Sequence, residues 1–119
     1  MALIMTVDNE PDTLALVKTI LEGKGHKVIT ALSGKECLKK IKENRPDLIL
    51  LDIMMPDMSG WDVFQKIRKN DKKTKIAFLS VIEVSPERKK TLLKSGVSDY
   101  ITKPFLPDDL VRKVNNIVK

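Results

Sequence analysis

What the sequence lacks removes several classes of function. Its 119 residues include one cysteine, Cys37, so no internal disulfide can form. No Cys/His cluster stands near it, which leaves a zinc site or a Cys/His nucleophile pair unsupported and makes a packed small residue the expectation. Aromatics supply only 4% of the chain, few for stacking unpaired bases. No apolar run approaches the roughly 18 residues of a membrane span, and the start of the sequence has neither the basic segment nor the long apolar segment of a signal peptide. A cytosolic protein without membrane association is expected. There is no internal repeat, low-complexity tract or linker.

Positive charge is what the chain has in excess: 22 Lys and Arg against 16 Asp and Glu, a net charge of +6. The cations lie in several segments (Lys35, Lys39, Lys40 and Lys42; Lys66, Arg68, Lys69, Lys72 and Lys73; Arg88, Lys89, Lys90 and Lys94) and are mixed with acids. Solvated helix faces account for this better than a nucleic-acid surface does, so no direct nucleic-acid binding is expected. With 42% apolar residues, residues 1–119 suffice for one domain with a single core and are too few for two.

Two kinds of segment alternate along the chain. Ala2 to Val7, Val28 to Ala31, Leu48 to Leu51, Ile76 to Leu79 and Tyr100 to Thr102 read as short strands. Between and after them, apolar residues recur at helical spacing: Leu14, Val17, Ile20 and Leu21; Cys37, Leu38 and Ile41; Trp61, Phe64 and Ile67; Leu92 and Leu93; Leu110, Val111, Val114 and Ile117. Ser33 with Glu36 forms a capping-box signal, Ser85 with Pro86 opens another helix, and Gly23, Gly25 and Gly96 are stops. Five strand-helix pairs predict a parallel sheet covered by helices on both faces, and runs such as LILL and IAFL fit strands buried on both sides. His26, after Gly25, reads as a solvated loop residue. Met54, Met55 and Met58 read as loop packing.

In open sheets of this kind ligands gather beyond the carboxyl ends of the strands. Those ends carry Asp8, Asn9 and Glu10, then Asp52, Ser80 and Lys103. Three acids brought together there would repel one another by about 4 kcal/mol per pair at about 4 Å and an effective dielectric near 20. A divalent hard cation such as Mg²⁺ would offset this, with Lys103 as a second positive centre and Ser80 as a hydroxyl donor. A carboxylate nucleophile beside a metal, an amine and a hydroxyl has the parts to accept a phosphoryl group.

The stretches VDNEPD, LLDIMMPDMSG, LS at the end of the fourth strand, and DYITKPF, in this order and spacing, resemble the receiver domain of two-component response regulators over the whole chain. The resemblance implies a flavodoxin-like, doubly wound α/β fold with strand order 2-1-3-4-5. It implies that Asp52 is phosphorylated by a histidine kinase, a phosphotransfer protein or a small phosphodonor, and that Asp8, Asp52 and the Met54 carbonyl hold Mg²⁺, with Asn9 at the metal site. It further implies that Ser80 and Lys103 contact the phosphoryl oxygens, that Lys103-Pro104 is cis, and that Ser80 and Tyr100 switch the face made by the fourth helix, fifth strand and fifth helix. A phosphoacceptor rather than an enzyme is implied, acting on a protein target or output domain as a monomer or a phosphorylation-dependent dimer.

Two departures from the family pattern stand out. Asn9 occupies a position usually acidic, which predicts weaker Mg²⁺ binding. Val81 follows Ser80 where a small residue is common, and with Met54 and Ile82 it is expected to screen an acyl phosphate and lengthen its life. A receiver with weak or no phosphorylation, working as an interaction module, is therefore the alternative. A flavin carrier of this architecture is disfavoured because DNEPD would repel a flavin phosphate. An aspartate-based phosphatase is disfavoured because Met54 stands where the second acid belongs.

Overall fold

The computed structural model describes all residues 1–119 and runs β1 (Leu3–Val7), α1 (Pro11–Glu22), β2 (Lys27–Ala31), α2 (Gly34–Asn44), β3 (Leu48–Leu51), α3 (Gly60–Asn70), β4 (Lys75–Ser80), α4 (Pro86–Lys94), β5 (Asp99–Thr102) and α5 (Pro107–Val118). The strands form one parallel sheet in the order β2-β1-β3-β4-β5. Side chains along a strand alternate between faces, so β3 sends Ile49 and Leu51 into one apolar cluster and Leu48 and Leu50 into the other. The first cluster takes Cys37, Phe64, Ile67 and Leu92 from α2, α3 and α4; the second takes Val17, Leu21, Leu110 and Val114 from α1 and α5. Helices thus cover both faces, as the continuous aliphatic strands required.

Local chemistry sets most helix ends. The Ser33, Ser59 and Ser85 hydroxyls accept from the backbone N–H three residues on, at 3.1 Å each, satisfying a donor that the helix leaves free. The Ser33 box is half-made: the Glu36 carboxylate pairs with Lys40 at 2.9 Å and makes no bond back to the Ser33 N–H. Gly23 keeps a right-handed backbone, and the left-handed turn falls at Gly25. After α4 the chain turns at Gly96, with φ +101, where a side chain would be strained.

Strand ends differ from the sequence reading by one residue: β2, β4 and β5 begin at Lys27, Lys75 and Asp99 rather than at Val28, Ile76 and Tyr100, and two further ends also move. β1 begins at Leu3 because the Ala2 N–H goes to His26 Nδ1 at 3.2 Å. β4 reaches Ser80, whose carbonyl accepts from Lys103 N at 2.8 Å. His26 itself corrects the expectation of a solvated loop residue: it is 8% exposed, with Nε2 against Asn115 Oδ1 at 2.8 Å. Each ring nitrogen has a partner from a different part of the chain, and this offsets the cost of burying the imidazole. Cys37 is buried, and desolvation pushes its thiol up to about 12, so it is a packed small residue as expected.

Candidate functional site

Sheet register gathers the strand-end residues. Val7 lies opposite Leu51, and Ser80 opposite Thr102, so Asp8, Asp52, Ser80 and Lys103 emerge at one rim. The backbone ladder continues into the site: Asp8 N donates to Ala31 O, Asp52 N to Val7 O, and Lys103 N to Ser80 O, at 3.1, 3.0 and 2.8 Å. The peptide between Lys103 and Pro104 is cis.

Lys103 Nζ stands 2.7 Å from Asp8 Oδ2 and 3.7 Å from Asp52 Oδ2. The carboxylates are enclosed, with Asp8 2% and Asp52 6% exposed, and Ser80 is fully buried. Asp8 Oδ1 accepts from Glu10 N at 2.9 Å, and Asp52 Oδ1 from Met54 N at 3.3 Å. Burial raises the Asp52 carboxyl above its usual range; Lys103 opposes the shift and Asp8 adds to it. The three-acid cluster expected from the sequence does not form. Glu10 is exposed, and no group of three or more His, Cys, Asp or Glu side chains is assembled, because Glu10 N caps Asp8 while its own side chain stays in water. Asn9 is likewise exposed.

The cup therefore has two carboxylates, one amine and a surplus negative charge. Its donors are oxygens: the Asp8 and Asp52 carboxylates, with the Asn9 amide and the Met54 carbonyl close by in the chain. That donor set fits a hard divalent cation such as Mg²⁺, which takes one or two carboxylates and completes its shell with water.

Ser80 Oγ accepts from Ile82 N at 3.3 Å, and the buried Tyr100 donates its hydroxyl to the Ile82 carbonyl. Tyr100 thus ties β5 to the segment leaving Ser80. Its ring continues a ladder of Trp61, Phe64 and Phe78, with successive centroids 5.3, 6.1 and 6.3 Å apart. Four of the five aromatics are used here, in the core. The expected screen over the cup is only partial, since Val81 is 60% and Met54 58% exposed. Met55 is buried at the edge of the core and Met58 packs against it.

Two residues of the site were missed in the sequence. A Cβ on Gly60 would overlap the Asp52 carbonyl and fall 2.9 Å from the Ile53 Cα, so only glycine lets α3 start against the loop that carries Asp52. Its place after the N-cap Ser59 was a usable signal. Asp57 accepts from the Gly34 and Lys35 amides at 3.3 and 3.1 Å, capping α2 from the β3–α3 loop. Nothing local to either segment announces that contact.

Comparison with known proteins agrees with this geometry. The family model of the response regulator receiver domain matches residues 4–115. The alkaline phosphatase synthesis transcriptional regulatory protein PhoP of Bacillus subtilis is 38% identical over 98% of this chain and 48% of its own length. The receiver domain of Francisella response regulator 1452 superposes with a TM-score of 0.89 at 35% identity, covering 99% of this chain and 97% of that one. Response regulator TrrA of Thermotoga maritima, solved in complex with Mg²⁺-BeF, gives 0.85 at 36% identity, covering 98% and 99%. The chain spans about half the length of the curated relatives it matches. A parallel sheet in this strand order, with an acid-amine cup at its carboxyl rim and a family match over nearly the whole sequence, places the chain in the response regulator receiver domain family.

Proposed function

We propose that Asp52 is the phosphoacceptor of a two-component phosphorelay. The observation that carries this reading is Lys103 Nζ, held 2.7 Å from Asp8 and 3.7 Å from Asp52 at the sheet rim. An ionised oxygen of Asp52 attacks the phosphorus of a phosphohistidine; the O–P bond forms as the N–P bond breaks, and the imidazole of the donor leaves with the electron pair. The Lys103 ammonium and the Ser80 hydroxyl would bind the transferred oxygens, where their positive charge and dipole lower the barrier. Asp8, Asp52, Asn9 and the Met54 carbonyl would hold Mg²⁺, which when bound neutralises charge shared between the acceptor and the phosphoryl group. Val81, Met54 and Ile82, largely exposed as they are, would slow the approach of water to the acyl phosphate only in part.

A phosphoryl group drawing on the Ser80 hydroxyl would reach Ile82 and Tyr100 through the hydrogen bonds that join them. The face made by α4, β5 and α5 is then the one biased toward a partner. The donor is a histidine kinase or a phosphotransfer protein, and the recipient a protein target or an output domain.

Incubation with acetyl phosphate and Mg²⁺, read by intact mass, tests this. Wild type is expected to gain one phosphoryl group, and Asp52→Ala none. Failure of the wild type to gain mass would favour the second reading, a receiver acting as an interaction module, to which Asn9 in place of an acid lends support.

A further inference from the structure

The sheet end opposite the cup holds a cleft of about 760 Å³ between the last turns of α2 and α3. Leu38, Ile41 and Ile67 give it apolar lining, and Lys42, Arg45, Lys66 and Lys73 give it positive charge. Asp71 is the one carboxylate among its lining residues, and it is already engaged with the Lys73 and Thr74 amides at 2.9 and 3.0 Å. The C-termini of α2 and α3 add roughly half a negative charge each, so four cations leave the cleft positive.

The walls are set in advance. Arg68 donates to the Asp71 and Thr74 carbonyls at 3.1 and 2.7 Å and lies over the Phe64 ring at 5.2 Å, fixing the turn from 71 to 74. On the other side Arg45 caps α2 in a left-handed backbone, φ 48 and ψ 65. Glycine or asparagine is the usual residue in that conformation, and another side chain there is strained. Pro46 accounts for the departure from the right-handed region but not for an arginine at the lip of a basic cleft.

We propose that this cleft docks an acidic polypeptide segment bearing one aliphatic anchor residue. An apolar floor inside a charged rim suits a side chain inserted among flanking carboxylates. Nucleic acid fits less well, because the lining has no aromatic on which a base could stack. Lys69 and Lys72, from α3 and the turn after it, line a separate groove, and their charge adds to the attraction of this end of α3 for an acidic partner. The cleft lies away from Asp52 and its use does not depend on phosphorylation.

The test is fluorescence anisotropy of a labelled peptide of glutamates flanking a leucine, titrated with the full chain. Saturable binding is expected, weakened about tenfold when the leucine is replaced by serine and about tenfold again, against the original peptide, by Arg45→Gly or Lys66→Glu. Arg45→Gly is the decisive variant, because glycine accepts the left-handed backbone and the protein should melt no lower than wild type. The proposal is overturned if the leucine peptide does not bind, if the serine peptide binds equally well, or if both variants bind as wild type does. Tighter binding of a random-sequence DNA duplex or of phosphatidylglycerol vesicles would also overturn it, by assigning the surface to a different partner.

Discussion

At the scale of single residues, the cup trades stability for chemistry. Burial is the main cause of the raised Asp52 pKa, and the Lys103 attraction does not cancel it. A carboxyl raised in the folded state favours folding most at low pH and loses that contribution as pH rises through its folded pKa. At neutral pH the ionised Asp52 therefore opposes folding, and Asp52→Asn is expected to raise Tm by several degrees, the shift given by about 1 kcal/mol in a domain of this size. The gain should shrink as pH falls through the raised pKa, and melts of both proteins across that range check the sign. Asn9 predicts the complementary effect. Asn9→Asp would return a third carboxylate to the donor set and is expected to tighten Mg²⁺ about tenfold, near 1.4 kcal/mol, by isothermal titration; equal affinities would mean that the cation is held by Asp52, Asp8 and water. Asp8, Asp52, Ser80 and Lys103 were legible because strand ends in a parallel sheet point to one place. The exposure of Glu10 was not, because adjacency in sequence does not say which of three neighbouring polar side chains turns inward.

At the scale of elements, burial is uneven. α4 buries only Leu92, whereas α1 buries Leu14, Val17 and Leu21. A nine-residue helix has little intrinsic stability, and the two additional buried side chains of α1 contribute roughly 1.5–3 kcal/mol each. Hydrogen exchange should find α4 amides at least about a hundredfold less protected than those of α1, each 1.4 kcal/mol being a factor of ten; equal protection would remove the case for α4 as the mobile part of the switching face. His26 acts in the opposite sense by joining the turn after α1 to Ala2 and to Asn115 on α5. His26→Ala leaves those partners unpaired and is expected to cost about 1–3 kcal/mol in denaturant unfolding. All ten elements could be read from periodicity, caps and stops, and their ends moved by about a residue. What could not be read were contacts across distant segments: Nε2 of His26 meets a residue 89 positions away, and the Asp57 cap on α2 likewise leaves no local pattern.

At the scale of the whole molecule, charge is sorted in a way the linear sequence conceals. Lys42 belongs to one cationic segment and Lys66 and Lys73 to the next, with Arg45 between them, yet the fold lines one cleft with all four, opposite an acidic cup. A scattered distribution in sequence became a concentrated one because α2 and α3 end at the same edge of the sheet. The net charge of +6 then works against compactness through self-repulsion. Most ion pairs that oppose it are exposed, such as Lys18 with Glu22 at 4.0 Å and Arg112 with Asp109 at 2.8 Å, and such pairs contribute little. The enclosed contact of Lys103 with Asp8 is weakly screened. Salt should therefore relieve more repulsion than the attraction it removes: Tm is expected to rise by a few degrees as sodium chloride is taken from low concentration to about 1 M, where the screening length is near 3 Å. Most of the rise should come below about 0.1 M, where that length passes 10 Å. A falling Tm over that interval would place the net stabilising electrostatics at the surface rather than in the cup.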